Sequence, residues 1–316
     1  MRRRAIIIGL LIVFVLATVA GCGDGGAGNG ETRGPVTVGS KIDTEGGVLG
    51  QIIIAVLKDA GYEVADKTKT GTTDVVRKAL TSGEIDIYPE YTGTALTQFF
   101  PDAKIAGGVS NDGQASFETV KELDAANGIV WLERAPANNT WAIAIPGALA
   151  SANGIESLAD WAAYINAGNP VKLVGSQEFV DRDDALPAFE KAYGFSLNAD
   201  QLIILSGGDT AQTEAAAAQG TNGANAAMAY GTDGSIAALG LVVLSDPLGV
   251  QPVYEPAPSV RKAVLDTYPE IATLLDPVFK ALTLETLQDL NGKVAVDGQD
   301  PKVVATEYLK SKGLIK

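Results

Sequence analysis

Residues 83–94 read GEIDIYPEYTGT. A short run typical of β-strands, at 85–88, follows a glycine turn. It leads to Tyr91, and the turn residues Thr92 and Gly93 come directly after that tyrosine. Isoleucine and tyrosine favour strands, and glycine and threonine are common where a strand ends. In open α/β sheets, ligands bind outside the carboxyl ends of the strands. The segment therefore predicts a strand whose end presents Tyr91 to a ligand.

The same order of elements occurs again later in the chain. Residues 71–73, GTT, open the helix before the first strand, and residues 208–210, GDT, open a helix whose following strand leads to Tyr230. The spacing from glycine to tyrosine is nearly the same in both copies. This similarity favours two lobes of like topology that face each other across a cleft; a chance recurrence of common Gly/Thr turns is the alternative.

The rest of the chain alternates in the same way. From Val36 onward, short β-rich runs are separated by amphipathic stretches, which favours α/β architecture with parallel strands. We expect a helix at 48–60, a loop at 146–154 and a mostly helical chain beyond Pro258.

Composition narrows the possible functions. The 316 residues are 46% hydrophobic and carry a formal net charge of −14, which argues against disorder and against binding to nucleic acid or anionic lipid through charge. The chain has no histidine and a single cysteine, Cys22. Histidine triads, histidine-ligated metals, zinc ribbons and internal disulfides are therefore excluded. A binding protein remains, or an enzyme limited to Lys, Asp, Glu, Ser and Tyr chemistry.

The N-terminus has the pattern of an export signal. Three arginines at 2–4 precede an apolar run at 5–20, which as a helix would cover about 24 Å, short of the ~30 Å hydrocarbon core. We interpret residues 1–21 as a signal peptide.

Residues 19–22, VAGC, resemble the lipobox of bacterial lipoproteins, in which the chain is cut before the cysteine and the cysteine is acylated. The resemblance implies lipidation at Cys22, a flexible Gly-rich tether at 22–34 and an extracytoplasmic protein anchored to the cell membrane. A secretory peptide with an accidental cysteine is the alternative.

Several motifs resemble one family in sequence and order: Gly39-Ser40-Lys41 with Thr44-Glu45, the run 88–94 (YPEYTGT), Asn138–Ala142 (NNTWA), Glu178-Phe179 with Arg182-Asp183, Thr232-Asp233-Gly234 and Pro252-Val253-Tyr254. They are similar to the substrate-binding proteins of bacterial ABC importers for glycine betaine, choline, carnitine and related osmoprotectants. The resemblance covers about residues 35–315.

The family implies a type II periplasmic-binding-protein fold, in which two α/β lobes are joined by two crossovers and enclose a ligand cleft. Lobe 1 would comprise 35–140 plus 249–316, and lobe 2 would comprise 141–248. The implied partners are a small quaternary ammonium solute and the membrane permease of the importer. We expect a monomer that needs no cofactor and no metal.

A quaternary ammonium cannot donate a hydrogen bond, so proteins recognise it with aromatic faces within about 6 Å of the cation. The resemblance implies a box built from Tyr91, Trp141, Tyr230 and Tyr254, with a tryptophan where the family more usually has tyrosine. Core packing is the alternative for any one of these rings.

The anionic end of a betaine needs donors. The family match implies Lys41 and Arg182 as carboxylate ligands, Thr94 as a hydroxyl donor and Asn139 as a polar contact near the cation. A surface ion pair with Asp183 or Asp184 is the alternative for Arg182.

We therefore expect a solute-binding lipoprotein and no enzyme or catalytic residues. A binding protein for another small solute, an amino acid or an anion, is the main alternative. An enzyme on the same fold with Lys41 as its base is disfavoured by the lipobox, the tether and the lack of a cofactor motif.

Overall fold

Two five-stranded β-sheets, each packed against helices, form the framework of this computed structural model, which describes residues 33–207 and 209–316. The strands are β1 (Arg33–Lys41), β2 (Tyr62–Gly71), β3 (Ile87–Tyr91), β4 (Ile129–Trp131), β5 (Trp141–Pro146), β6 (Leu173–Ser176), β7 (Leu202–Leu205), β8 (Ala226–Tyr230), β9 (Leu241–Val243) and β10 (Pro256–Arg261).

The two sheets share one topology. The strand order is β2-β1-β3-β10-β4 in the first sheet and β7-β6-β8-β5-β9 in the second. In each, the first three strands are parallel and the fourth runs antiparallel to both of its neighbours. Strands β3 and β8 hold the same place, and each ends in a tyrosine, Tyr91 and Tyr230. The two copies seen in the sequence are thus equivalent elements of two like sheets.

Helices connect the strands and cover the sheets. They are α1 (Thr44–Asp59), α2 (Thr73–Ser82), α3 (Thr92–Thr94), α4 (Gly113–Ala125), α5 (Gly147–Asn153), α6 (Leu158–Asn166), α7 (Gln177–Asp181), α8 (Leu186–Tyr193), α9 (Thr210–Gln219), α10 (Lys262–Thr267), α11 (Glu270–Lys280), α12 (Leu284–Ala295) and α13 (Pro301–Ser311), with a π-helical turn at Ala95–Phe99 and 3₁₀ turns at Val109–Asn111, Ala199–Gln201 and Thr221–Gly223. None of the described helices is long and apolar enough to cross a membrane.

Each sheet has its own apolar core. The first centres on α1, whose apolar residues between Val48 and Leu57 are buried together with residues of β1, α11 and α13. The second gathers Ile143, Trp161 and Phe189 around the other sheet. Burial of a Leu, Ile or Phe side chain contributes about 1.5–3 kcal/mol, so these cores fix the two sheets as rigid supports.

Polar contacts also bridge the cleft between the two sheets. Thr73 Oγ1 donates to Glu178 Oε1 at 2.7 Å, and Gln98 Nε2 donates to Asp184 Oδ1 at 3.1 Å. At the other end, a Cβ added to Gly234 would lie 2.1 Å from the Gln288 carbonyl oxygen of α12. Only glycine fits such a close backbone approach.

Among the elements that differ from the sequence-based expectation are β2, α5 and β10. The edge strand β2 was not predicted because its polar sequence, YEVADKTKTG, is mostly exposed and shows no apolar alternation. The segment at 147–153, expected to be a loop, is the helix α5, since alanine's helix propensity outweighs the flanking glycines.

The third difference is β10, which lies inside the first sheet although the chain beyond Pro258 was expected to be mostly helical. Its two prolines discourage a strand prediction because proline cannot donate to a ladder. Here the two prolines face the chain that follows the short β4. Their carbonyls accept from the N–H groups of Ala135 and Leu132, and the ladder with β4 has already ended there, so it requires no N–H from either proline.

The predicted signal peptide (1–21), Cys22 and the tether as far as residue 32 lie outside the described residues. Gly208, the first residue of the second Gly-Asp-Thr turn, does so as well. The predicted tether extends to residue 34, but residues 33 and 34 begin β1, where Arg33 is paired with β2.

Candidate functional site

A cavity lies between the two sheets, where the strand ends meet. It is lined by Lys41, Ile42, Asp43, Thr72, Thr73, Tyr91, Thr94, Asn139, Trp141, Glu178, Arg182, Tyr230 and Tyr254. The structure therefore brings together all eight residues that the sequence singled out for ligand binding; that they bind a ligand stays a prediction.

The topology explains this convergence. Lys41 and Tyr91 are the last residues of the parallel strands β1 and β3, so they share one edge of the first sheet. Trp141 begins β5 and is paired in register with Tyr230 at the end of the antiparallel β8. Both sheets thus direct their ligand-side edges into the same space, as expected for open α/β sheets.

Trp141 and Tyr230 form an aromatic pair on the second sheet. Their ring centroids are 4.6 Å apart with an interplanar angle of 39°. Phe179 packs behind the tryptophan at 5.2 Å. The pair is therefore fixed from the core side and presents its other side to the cavity.

Tyr91 faces this pair from the first sheet and is 5% exposed. Its hydroxyl donates to Glu45 Oε1 at 2.9 Å. Burial, together with the Glu45 charge, raises the pKa of Tyr91 well above its ordinary value, so the phenol stays neutral.

Tyr254 completes the aromatic wall. Its hydroxyl donates to Asp184 Oδ2 at 3.0 Å. Its ring packs flat on Gly93, where an added Cβ would lie 2.7 Å from the ring. The glycine of the YTGT motif is therefore required for this ring to reach the cavity.

Two cationic side chains line the cavity, and both are paired in this structure. Lys41 Nζ lies 2.7 Å from Glu90 Oε1 and 4.8 Å from the Tyr91 ring centroid. The Arg182 guanidinium carbon lies 5.6 Å from the Trp141 ring centroid. Cations of the protein itself thus occupy positions near two aromatic faces.

Arg182 holds a central place in the hydrogen-bond network. It donates to both carboxylate oxygens of Asp184, to Glu178 Oε1 at 2.9 Å and to Thr97 Oγ1 at 3.4 Å. Its side chain is 9% exposed and that of Asp184 is 14% exposed, so the pair is mostly withdrawn from the surface. Burial alone would lower the pKa of Arg182, but the bonds to Asp184 raise it above its ordinary value.

The polar candidates Asn139 and Thr94 are buried in the wall. Asn139 Nδ2 donates to Glu45 Oε1 at 2.7 Å, while its Oδ1 has no hydrogen-bond partner among the described residues. Thr94 belongs to α3 and has a buried side chain.

Sequence reasoning missed several residues of the site, namely Asp43, Thr73, Glu178 and, behind the wall, Glu45. Glu45 and Glu178 belonged to motifs quoted for the family resemblance but received no role. Asp43 caps α1 by accepting from the Gly46 N–H at 2.7 Å, a local signal typical of helix starts.

Carboxylates outnumber cations around the cavity. Asp43 and Glu178 line it, and Glu45, Glu90 and Asp184 bind the side chains of its wall, against the two cations Lys41 and Arg182. This balance suits a positively charged group more than an anion. Among the described residues, no cluster of three His, Cys, Asp or Glu side chains could hold a metal ion.

Comparison with known proteins decides the family. Residues 34–311 match the family described as the substrate-binding domain of ABC-type glycine betaine transport systems. The chain belongs to this family. The glycine betaine-binding protein YehZ of Escherichia coli K12 is 56% identical over 287 residues, 90% of this chain and 93% of the relative. A glycine-betaine-binding protein of Pseudomonas aeruginosa is 33% identical over 291 residues, 88% of each chain.

The solved apo structure of YehZ from Escherichia coli matches this fold with a TM-score of 0.65, covering 89% of this chain and all of the other. The predicted two-lobe α/β fold is thereby confirmed. The family supplies ABC importers with their solute-binding proteins and is not a family of enzymes. The chain is therefore an extracytoplasmic solute-binding component of an importer, as the motifs predicted.

The pKa of Asp43 makes the stability of the folded protein depend on pH. Burial raises the pKa of Asp43 from 3.8 to about 6, although the Gly46 N–H and the Lys41 charge act to lower it. Between about pH 4 and 6 the folded protein therefore holds a proton that the unfolded chain lacks. This contribution to stability is full below pH 3.8 and is lost as the pH rises through about 6.

We predict that Asp43→Asn, which keeps a good helix cap, removes this dependence. The melting temperature of the wild type minus that of the variant should fall by about 2–4 °C from pH 4.5 to 7.5, equivalent to about 1 kcal/mol after solvent screening. Melting curves at both pH values measure it. Parallel pH dependences of the two proteins would contradict the raised pKa.

Proposed function

We propose that the protein captures a quaternary ammonium osmoprotectant, glycine betaine or a related betaine, choline or carnitine, and delivers it to the permease of its importer. The observation that carries the proposal is the convergence of four aromatic side chains from two sheets on one cavity: Tyr91, Trp141, Tyr230 and Tyr254. The names of the two relatives, both binding proteins for glycine betaine, support it.

The aromatic cage formed by these four residues suits the ligand's chemistry. A trimethylammonium group gains from the negative faces of aromatic rings, at about 0.5–2 kcal/mol for each ring over a desolvated cation. The positions of Lys41 near Tyr91 and of Arg182 near Trp141 support this role, because both rings already have a cation nearby.

The carboxylate of a betaine would bind at the cationic side of the cavity. Arg182 uses four of its five N–H groups for Asp184, Glu178 and Thr97, which leaves one hydrogen on Nη1. Thr94 would add a hydroxyl donor, and Lys41 would contribute its charge if it turned away from Glu90. Choline, which has no carboxylate, needs none of these groups.

Closure of two lobes on the ligand follows from the division of the site. We propose that lobe 1 comprises 35–140 plus 249–316 and lobe 2 comprises 141–248. The membership of the sheets supports these bounds, since the first sheet draws its strands from 33–131 and 256–261 and the second from 141–243. A ligand that contacts both sheets stabilises the closed state by those additional contacts.

We also propose that Cys22 is acylated and anchors the protein, as a monomer, to the outer face of the cell membrane. The lipobox VAGC at 19–22 and the Gly-rich tether at 22–34 support this anchoring. Nucleic acid is not among the proposed partners.

Single alanine variants of the cage residues, titrated by calorimetry with glycine betaine and choline, test the proposal. Each should weaken binding by up to roughly thirtyfold, since about 1.4 kcal/mol corresponds to tenfold. Tyr254→Phe should cost much less, because it keeps the ring and loses only the bond to Asp184.

Tyr164→Ala is the matched control, because Tyr164 stacks on Trp161 at 5.7 Å and does not line the cavity. It should lower the melting temperature and leave affinity unchanged. If the cage variants instead melt early while their folded fraction binds with wild-type affinity, the rings are core residues and the cage is wrong.

Cys22→Ala tests the anchor separately. The variant should be released from the membrane fraction while it keeps wild-type ligand affinity, because ten residues, 23–32, separate Cys22 from the first strand of the two sheets. Mass spectrometry and cell fractionation measure both. If the variant still has the mass of a lipid-modified protein, Cys22 is not the site of acylation and the proposed anchor is wrong.

A further inference from the structure

Glu45 is a buried carboxylate directly behind the aromatic cage. It stands in the first turn of α1 and is 4% exposed. Its Oε1 accepts from the Tyr91 hydroxyl at 2.9 Å and from Asn139 Nδ2 at 2.7 Å, and its Oε2 accepts from Asn291 Nδ2 at 2.8 Å. One side chain thus connects four segments of the chain that are distant in sequence.

The partners of Glu45 leave its charge in place. The ion pairs of the site join Lys41 to Glu90, and Arg182 to Glu178 and Asp184, so neither of these cations pairs with Glu45. Its partners are three neutral hydrogen-bond donors and the N-terminal end of α1. A negative charge therefore stands beneath the cavity, where little water screens it.

The first consequence concerns Tyr91. Its hydroxyl is held by Glu45, which fixes how the ring is presented to the cavity. A phenol that donates to a carboxylate is also polarised, because low dielectric strengthens linked hydrogen bonds. The ring face becomes more attractive to a cation.

The second consequence concerns Asn139. Because Nδ2 donates to Glu45, the amide orientation is set and the acceptor Oδ1 is left over. That oxygen is buried and has no partner among the described residues, although Asn139 lines the cavity. An unpaired buried acceptor is costly, and here it adds partial negative charge to that of Glu45 close to the cavity.

We propose that Glu45 is a positioning residue that makes the cage select a cation over a neutral group of the same shape. It holds the Tyr91 face and the Asn139 acceptor in place, and it adds an uncompensated negative charge behind them. The inference rests on the proposed function, since it concerns the same cavity.

The test compares choline with its neutral isostere 3,3-dimethyl-1-butanol, in which carbon replaces the cationic nitrogen. The measured quantity is the ratio of the two dissociation constants in Glu45→Gln, which keeps size and one acceptor oxygen. We expect the preference for choline to fall about tenfold. This is the change expected if the Glu45 charge contributes about as much to binding of the cation as one cation–π contact does. Glu84→Gln, which removes the same charge from an exposed pair with Lys67, should leave the ratio unchanged.

Equal losses of affinity for both ligands in Glu45→Gln would overturn the inference, since a merely structural residue affects them alike. If Glu45→Gln does not fold, Tyr91→Phe replaces it, because it keeps the ring and removes the bond to Glu45. A ratio lowered about threefold or more in that variant supports the inference, and an unchanged ratio overturns the action of Glu45 through Tyr91. If the wild type binds no trimethylammonium ligand, the proposed function is overturned as well. If the wild type prefers choline and the variants show the same ratio of dissociation constants, only the role of Glu45 is overturned.

Discussion

A trimethylammonium group cannot donate a hydrogen bond, so the proposed site depends on aromatic rings whose faces line one cavity. The same rings must also be held in place by contacts on the side away from the cavity. Two carboxylates fix two of the rings. Glu45 accepts from the Tyr91 hydroxyl and Asp184 from the Tyr254 hydroxyl. Trp141 is supported instead by packing on Phe179. Tyr91, Tyr254 and Trp141 are therefore each held at an edge or on one side, and in this structure Lys41 lies over the Tyr91 ring and Arg182 over the Trp141 ring.

The same polar groups that fix the rings also join the two sheets. Asp184, which holds Tyr254, accepts from Gln98 and from Arg182, and Arg182 reaches Thr97 on the opposite side of the cleft. The contacts that hold the cage rings thus also bridge the two sheets in this fold. A ligand cation that favours the assembled cage should favour the closed arrangement to the same extent.

Much of the architecture could be predicted because its signals are local. The segment before Tyr91 is rich in isoleucine and tyrosine, which favour strands, and Tyr230 follows an equivalent strand, so both rings could be placed at strand ends from sequence alone. The supporting carboxylates could not be found in this way. Glu45 and Tyr91 are far apart in the chain, and their contact exists only once α1 packs beside β3. The strand β10 was missed for a related reason, since its prolines are tolerated only because of where its neighbour ends.

A crystal structure of the complex with glycine betaine tests the central claim most directly. The account predicts that the trimethylammonium nitrogen lies within about 6 Å of the ring centroids of Tyr91, Trp141, Tyr230 and Tyr254, with both sheets in contact with the ligand. It also predicts that the ligand carboxylate points toward Arg182 and Thr94. A complex in which the ligand binds outside this cavity, or in which these rings pack only against protein and the cation lies among carboxylates alone, would contradict it.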